Sequence, residues 1–376
     1  MGMTEEQKEY VKMIHDFGEK EIKPNVAQWD REGYFPMEVY NKLFEMGIHL
    51  LDIPEEYGGF GLDKVTTGMI FEEIAKYDAG IAVSIGAVGL GFKPLLVAAS
   101  SEQKQMFADL VADGGFAAFA LTEPGAGSDA GAVKTTAKLD GDEYVLNGSK
   151  CFITCAEYAK IFTVIASTDK SKGVKGLSAF LVEADRAGIT IGNHEDKMGI
   201  RTSNTCDVFL DEVRIPKDHL IGKEGDGFKI AMMTLDMARP VVGACAVGIM
   251  QACMDICTDY MKSRVQFGKP IAALQGLQFM LADMEIATET ARAMVYKVMK
   301  MIDDHENYSK AAAIAKCYAG DMAMKVATDA VQILGGYGYS REYPVEKLMR
   351  DAKIYQIFEG TNQVQRVVIA NNLLRK

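Results

Sequence analysis

The hydrophobic period of this chain changes twice, and that change constrains the fold more than any other feature. From Thr4 to about Ala118 apolar residues recur at helical spacing. From Phe119 to about Gly222 they alternate and become β-branched. After the run GKEGDGF, which ends at Phe228, the helical period returns and persists to the end. A stripe of period 3.6 does not sit as a strand, nor an alternation of period 2 as a helix, so each zone must build its own layer. At about 150 residues per domain, 376 residues suit two or three units. The pattern predicts an α+β chain: an N-terminal all-α domain (1–117), a middle antiparallel β-domain (118–223) and a C-terminal helical-bundle domain (224–376).

Within the first zone Thr4 precedes Glu5 and Glu6, which suits a helix N-terminus, and Val11, Ile14, Phe17 and Ile22 form one buried stripe. EEYGGFGLD reads as a glycine-rich turn, after which IFEEIAKYD resumes the helix. In the middle zone AVKTTAKL and YVLNGSKCFIT flank Asp140-Gly141-Asp142-Glu143, a strand–turn–strand pattern. IFTVIAST, GLSAFLVE, GITIG and CDVFLDEVRI come next with no helix between them, which argues for antiparallel pairing. In the last zone 228–264, 276–304 and 308–334 are long helical segments with short connections, as in an antiparallel bundle. The 22 methionines read as packing material.

Charge and composition exclude several functions. With 41 Lys+Arg against 52 Asp+Glu the net charge is −11, and no basic block is present, which argues against a nucleic-acid partner. The longest charge-free stretch near the N-terminus, 80–92, falls short of the roughly 20 apolar residues of a membrane span. The opening MGMTEEQKEY has no apolar h-region or Arg-rich presequence, so a cytoplasmic protein is expected. Seven cysteines make a poor disulfide framework. Cys253 and Cys257 stand at i and i+4, but no partner pair or histidine is near, so they read as core residues rather than a zinc site. The five histidines are scattered, which leaves metal chemistry and a Ser-His triad without raw material.

Three segments could carry chemistry. In LTEPGAGSDA, Gly125, Gly127 and Ala130 match a dinucleotide-binding spacing, with Glu143 downstream. The residues after Ala130 are β-branched and lead into a turn, so the helix such a fingerprint needs is missing, and an NAD-dependent oxidoreductase is a remote alternative. A surface turn is one other reading. A loop whose N–H groups, with the Thr122 and Ser128 hydroxyls, bind a planar or phosphorylated ligand is another. In QILGGYGY, glycines after a helix give a C-cap, or bare backbone that a pyrophosphate can approach. In IYQIFEGTNQVQ, Glu359 follows an apolar, aromatic run and precedes Gly360 and a capping Thr361. A carboxylate desolvated beside Phe358 would have a raised pKa, as a general base needs. An exposed Glu at a helix start is the commoner arrangement.

Together with FIT, IGKEGDGF, LDMARP, SRVQFGKPI and the run from Gln332 to Arg366, LTEPGAGSD resembles the acyl-CoA dehydrogenase family along the whole chain, in order and spacing. The resemblance implies an FAD flavoprotein, with a helical domain, a β-domain and a four-helix bundle, assembled as a homotetramer (a dimer of dimers). It implies an acyl-CoA substrate and an electron-transferring flavoprotein as partner. Glu359 would remove the substrate α-proton, and β-hydride would pass to flavin N5, giving a 2-enoyl-CoA. The Glu359 N–H, with a flavin ribityl hydroxyl, would bind the thioester oxygen. Phe119, Leu121, Thr122, Gly127, Ser128, Phe152 and Thr154 correspond to flavin contacts. Arg264, Gln266, Phe267, Gln275, Gln332, Gly335 and Gly336 correspond to positions that bind FAD across a subunit interface, and Thr361 and Gln363 to further contacts. Ser128, Asp236, Arg239, Phe358 and Gly360 correspond to substrate contacts.

One subgroup of that family takes its base from the residue before the LDMARP arginine. Here it is Ala238, which cannot titrate, so the base belongs at Glu359. Phe152 stands where many members have Trp, Cys155 where Asn is usual, and Phe358 where Tyr is frequent. By the same resemblance 82–92 lines the acyl pocket, and Gly86 and Gly89 would leave room for a longer, branched or cyclic acyl group. An acyl-CoA oxidase or an enoyl-CoA reductase on the same fold is the alternative.

Overall fold

The computed structural model describes residues 2–374. The N-terminal part holds six α-helices: α1 (Glu5–Phe17), α2 (Val26–Glu32), α3 (Met37–Glu45), α4 (Lys64–Tyr77), α5 (Ala79–Ala98) and α6 (Ser101–Val111). Their starts are set by side chains. Thr4 Oγ1 accepts from Gln7 N at 3.2 Å while Gln7 Oε1 accepts from Thr4 N at 3.1 Å, a closed capping box. Asp63 caps α4 and Asp78 caps α5, each accepting from the backbone N–H three residues on. Of the expected stripe on α1, Ile14 and Phe17 are buried, as is Ile22 in the π-helical turn Gly18–Ile22 that extends it; Val11 is half-buried.

The sheet has eight strands: β1 (Phe116–Ala120), β2 (Thr136–Asp140), β3 (Glu143–Thr154), β4 (Ala159–Ser167), β5 (Leu177–Glu183), β6 (Ile189–His194), β7 (Thr205–Pro216) and β8 (Leu220–Ile221). Their order is β6-β7-β3-β2-β4-β5-β8, with β1 beside β4. The β2–β3 turn is as expected, Asp140 pairing with Glu143 across Gly141 at φ 65°. Pairing is antiparallel except that β1 runs parallel to β4, with one parallel contact between Thr136 and Ser167. The sequence reading missed β1: its FAAFA run is apolar on both faces and has no alternation to betray it. Only the three-residue turn Ala130–Ala132 follows the GAGSDA glycines before β2, so the Rossmann reading fails in its context.

The C-terminal part holds α7 (Gly227–Ser263), α8 (Gln275–Asp303), α9 (Ser309–Leu334), α10 (Val345–Ile354) and α11 (Asn362–Leu374). The three long segments agree with the sequence reading to within one residue at each end. One hydrophobic core runs from the N-terminal helices through one face of the sheet into the bundle, and a second lies on the other face of the sheet. Cys253 and Cys257 lie in the first core.

The apolar helix around 80–92 is longer than its charge-free stretch, because α5 continues through Lys93 and Pro94 to 20 residues. Both α5 and α7 are long and apolar enough to cross a membrane, with mean hydropathies of 1.9 and 1.7. In each, 67% of the most apolar window is buried within the protein. That burial is how the core helix of a folded domain passes the same test.

Candidate active site at the junction of helices and sheet

Glu359 stands on the turn between α10 and α11, and the chain pays for its placement in backbone strain. Its φ is +55° and that of Gly360 is +86°. A non-glycine residue in this region costs on the order of 1–3 kcal/mol and marks a site whose surroundings hold it there. The bracing is visible. Lys316 Nζ, buried on α9, donates to Gly360 O at 2.8 Å and to Asn362 Oδ1 at 3.0 Å. Gln365 Nε2 donates to Glu359 O at 3.1 Å and Gly360 O at 2.9 Å. Thr361 Oγ1 accepts from Val364 N at 3.1 Å and starts α11, as its sequence suggested.

The Glu359 carboxylate faces a cavity of about 80 Å3 lined also by Ala82, Gly86, Leu90, Thr154, Ala238 and Phe358. It makes no hydrogen bond with any described residue, and its Oε2 is sealed from solvent. Burial pushes its pKa above the ordinary glutamate value, against the positive charges of Lys316, Arg239 and Lys93. Its N–H has no acceptor among the described residues. A carboxylate so desolvated, next to an unused N–H donor, has the equipment of a general base and an oxyanion site. The exposed-glutamate reading of this segment is overturned, because the turn folds Glu359 inward rather than presenting it to water.

Ala238 lines the same cavity, so the one position offered as an alternative base is near Glu359 and apolar. The adjoining Arg239 is 3% exposed, pairs with Asp236 one turn earlier on α7, and has an Nε with no partner. Burial lowers its pKa, while Asp236 and Glu359 oppose that shift.

Of the 82–92 segment, Ala82, Val83, Gly86, Ala87 and Leu90 do line the cavity. Gly89 does not open it: a Cβ there would lie 2.4 Å from Asp52 Oδ2. A Cβ at Gly86 would meet Phe71 at 3.1 Å. Gly89 therefore admits a neighbouring carboxylate, while Gly86 lines the cavity with Phe71 close by.

The flavin candidates fall in two places. Phe119 lies within β1 and Leu121 follows it, Thr122 opens the exposed loop that holds Gly127 and Ser128, and Phe152 and Thr154 stand in the last residues of β3. Phe152 sits in an irregularity of the β3–β7 ladder, with φ +56° and its ring 64% exposed. A bulge of this kind re-aims a side chain. Arg264, Gln266, Phe267, Gln332 and Gly336 line one groove of about 650 Å3 beside α9. Gly335 is next to it at φ +62°, and the exposed Gln275 begins α8. Phe267 has φ +51° and is 89% exposed. No residue of the sheet lines this groove. Gln363 is exposed on α11, and it is Gln365, missed by the sequence reading, that contacts the Glu359 turn.

Two further supports escaped notice. Lys150, fully buried in β3, donates to Leu121 O at 3.0 Å, to Ile165 O at 2.6 Å and to Glu123 Oε1 at 2.8 Å. Glu123 also accepts from the N–H groups of Lys134 and Thr135, so this pair ties the start of the loop at Leu121–Glu123 to the residues that lead into β2. Cys155 is buried at φ +59° with its Sγ 3.6 Å from Ser84 O, which joins the sheet to α5.

Comparison with known proteins decides the family. The acyl-CoA dehydrogenase N-terminal, middle and C-terminal domain models match residues 4–115, 118–213 and 225–374. The chain belongs to the acyl-CoA dehydrogenase family. The short-chain specific acyl-CoA dehydrogenase of Megasphaera elsdenii is 46% identical over 380 residues, covering 100% of this chain and 99% of that protein. The butyryl-CoA dehydrogenase structure from the same organism superposes with a TM-score of 0.97 at 46% identity, covering 100% of both chains. A chain in a structure described as the electron transferring flavoprotein of Acidaminococcus fermentans, concerned with flavin-based electron bifurcation, has the same TM-score, identity and coverage. The three-domain acyl-CoA dehydrogenase architecture and an acyl-CoA dehydrogenase oxidoreductase activity follow for this chain.

Proposed function

We propose that this acyl-CoA dehydrogenase uses FAD, acts on a short acyl-CoA and passes its electrons to an electron-transferring flavoprotein, with Glu359 as the base. The observation that carries the reading is the Glu359 carboxylate: one oxygen sealed from solvent, without a hydrogen-bond partner, aimed into a cavity and fixed by a strained turn. Glu359 takes the proton from the carbon next to the thioester. Its raised pKa makes it a stronger base than an exposed glutamate. The Glu359 N–H donates to the thioester oxygen as negative charge gathers there. Arg239, Asp236 and Ser128 hold the CoA arm, and Phe358 and Gly360 shape the thioester pocket.

The residues present fit FAD. Exposed Phe152 and Phe267 would be covered by it, and the groove at Arg264, Gln332 and Gly336 offers a cation and open glycine backbone to a pyrophosphate. FAD, when bound, supplies the hydride acceptor. The separation of that groove from the Phe152 face supports a cofactor shared between two copies of the chain, in a homotetramer. The small cavity and the short-chain relative support a short acyl group in place of the bulky one first expected. The Acidaminococcus likeness supports the flavoprotein partner.

The visible spectrum of the purified protein tests this reading, before and after addition of acyl-CoAs from butyryl to octanoyl. Flavin bands that bleach with the short esters are expected; a colourless protein, or bands that no acyl-CoA bleaches, would overturn it.

A further inference from the structure

The cavity that Glu359 faces is apolar along its sides and charged at one wall. Ala82, Val83, Ala87 and Leu90 give it an alkyl surface, yet Asp52 and Lys93 line it too. Lys93, on α5, is 4% exposed, and its Nζ donates to Asp52 Oδ2 at 2.6 Å. An ammonium has three donors, and among the described residues Asp52 is the only acceptor for this one. A buried donor without an acceptor costs free energy, and a wall that met only alkyl chains would gain nothing in return.

The pair is built into the fold. Gly89 stands one turn before Lys93, and a Cβ there would lie 2.4 Å from Asp52 Oδ2, so glycine is what lets the carboxylate reach the helix. The second oxygen of Asp52 accepts from Lys64 Nζ at 2.5 Å. Asp303 accepts from the Lys64 and Val65 N–H groups, so a second carboxylate faces Lys64. The wall is therefore close to neutral, with Lys93 presenting unused N–H groups and Asp52 an acceptor beside them. A substrate carboxylate would meet Asp52 at the same ammonium. A hydroxyl can accept from Lys93 and donate to Asp52.

From this geometry, and resting on the acyl-CoA reading above, we infer that the preferred acyl group is short and carries a neutral oxygen function at its far end, held by Lys93 and Asp52. Lys93 is then a specificity-determining residue, with Asp52 and Gly89 positioning it.

Calorimetric titration of the FAD-loaded Glu359→Gln protein, in which esters bind without turnover, tests this with butyryl-CoA, 4-hydroxybutyryl-CoA and glutaryl-CoA. The hydroxy ester is expected to bind about 10- to 100-fold more tightly than butyryl-CoA, the range for a hydrogen bond to a charged group. In Lys93→Met, where Asp52 keeps Lys64, that preference should fall to within about twofold. Gly89→Ala, which displaces Asp52 but keeps Lys93, should weaken it in part. Equal or tighter binding of butyryl-CoA, tightest binding of glutaryl-CoA, or a preference unchanged in Lys93→Met would overturn the inference. If none of the three esters binds and none bleaches the wild-type flavin, the acyl-CoA reading itself fails, which is a separate result.

Discussion

The Lys316 ammonium, 1% exposed in the bundle, donates a 2.8 Å hydrogen bond to the carbonyl of Gly360. It thereby joins α9 to the turn that carries Glu359. The same ammonium is one of the charges that favour the ionised form of Glu359. Burial brings the pKa of Lys316 itself down to about 8, against the pull of Glu359. One buried lysine thus contributes both to where the carboxylate stands and to how readily it gives up its proton.

Replacing Lys316 by methionine should lower kcat by roughly 10- to 100-fold, since a displaced catalytic group loses that order of rate. The rising limb of the kcat/KM–pH profile should also move to higher pH, because a favourable charge on the ionised glutamate is gone. Retained flavin absorbance would show that the fold survives. A slower enzyme with an unmoved profile would limit Lys316 to bracing the turn.

For the unaltered enzyme, activity should rise with pH through a midpoint above the ordinary glutamate range, as Glu359 becomes ionised. The same raised pKa makes folding less favourable as pH climbs from the unfolded to the folded value, because the native state holds that proton more tightly. Above this window Glu359 costs stability. Glu359→Gln should therefore melt at a higher temperature than the wild type at neutral pH, measured by differential scanning calorimetry.

Lys347 should be among the residues most sensitive to substitution. It is buried on α10 and bonds Asp78 Oδ2 at 2.7 Å and Asp351 Oδ2 at 2.5 Å. Asp78 also accepts from Thr202 Oγ1, and Asp351 from the N–H of Ile200, so helices and sheet meet at this cluster. Lys347→Met leaves two buried carboxylates without their cation, a loss of about 3–5 kcal/mol. Urea denaturation at neutral pH should show the midpoint falling accordingly.

Arg264→Met should release flavin. The guanidinium lies 5.1 Å from the Tyr337 ring centre, in the groove with Gln332 and Gly336, and is well placed for an anionic cofactor. A lower ratio of visible to ultraviolet absorbance after gel filtration, restored by added FAD, is the expected outcome.

Much of this was legible in the chain because long helices advertise their period. The limits of α7, α8 and α9 and the β2–β3 turn needed only hydrophobic spacing and Gly141. The candidate base was legible too, although the segment alone suited an exposed helix start better. Only the positive φ of Glu359 and the bracing by Lys316 and Gln365 separate the two, and no local pattern encodes them. Lys150 and Glu123, Lys93 and Asp52, and Lys347 and Asp78 are 27, 41 and 269 residues apart. Each looks like a stray charge in an apolar run until the fold brings its partner. Gly89 misled for the same reason, since the space it provides belongs to a carboxylate from a distant loop.

The role of Glu359 is tested most directly by monitoring exchange of the α-hydrogens of a short acyl-CoA with deuterated water, together with flavin bleaching. Both would be measured in the wild-type and Glu359→Gln holoenzymes. If Glu359 is the base, the wild type exchanges and bleaches, while the variant keeps its flavin and loses both by at least about 1,000-fold, toward the upper end of what a general base contributes. Exchange and bleaching at the wild-type rate in Glu359→Gln would contradict it.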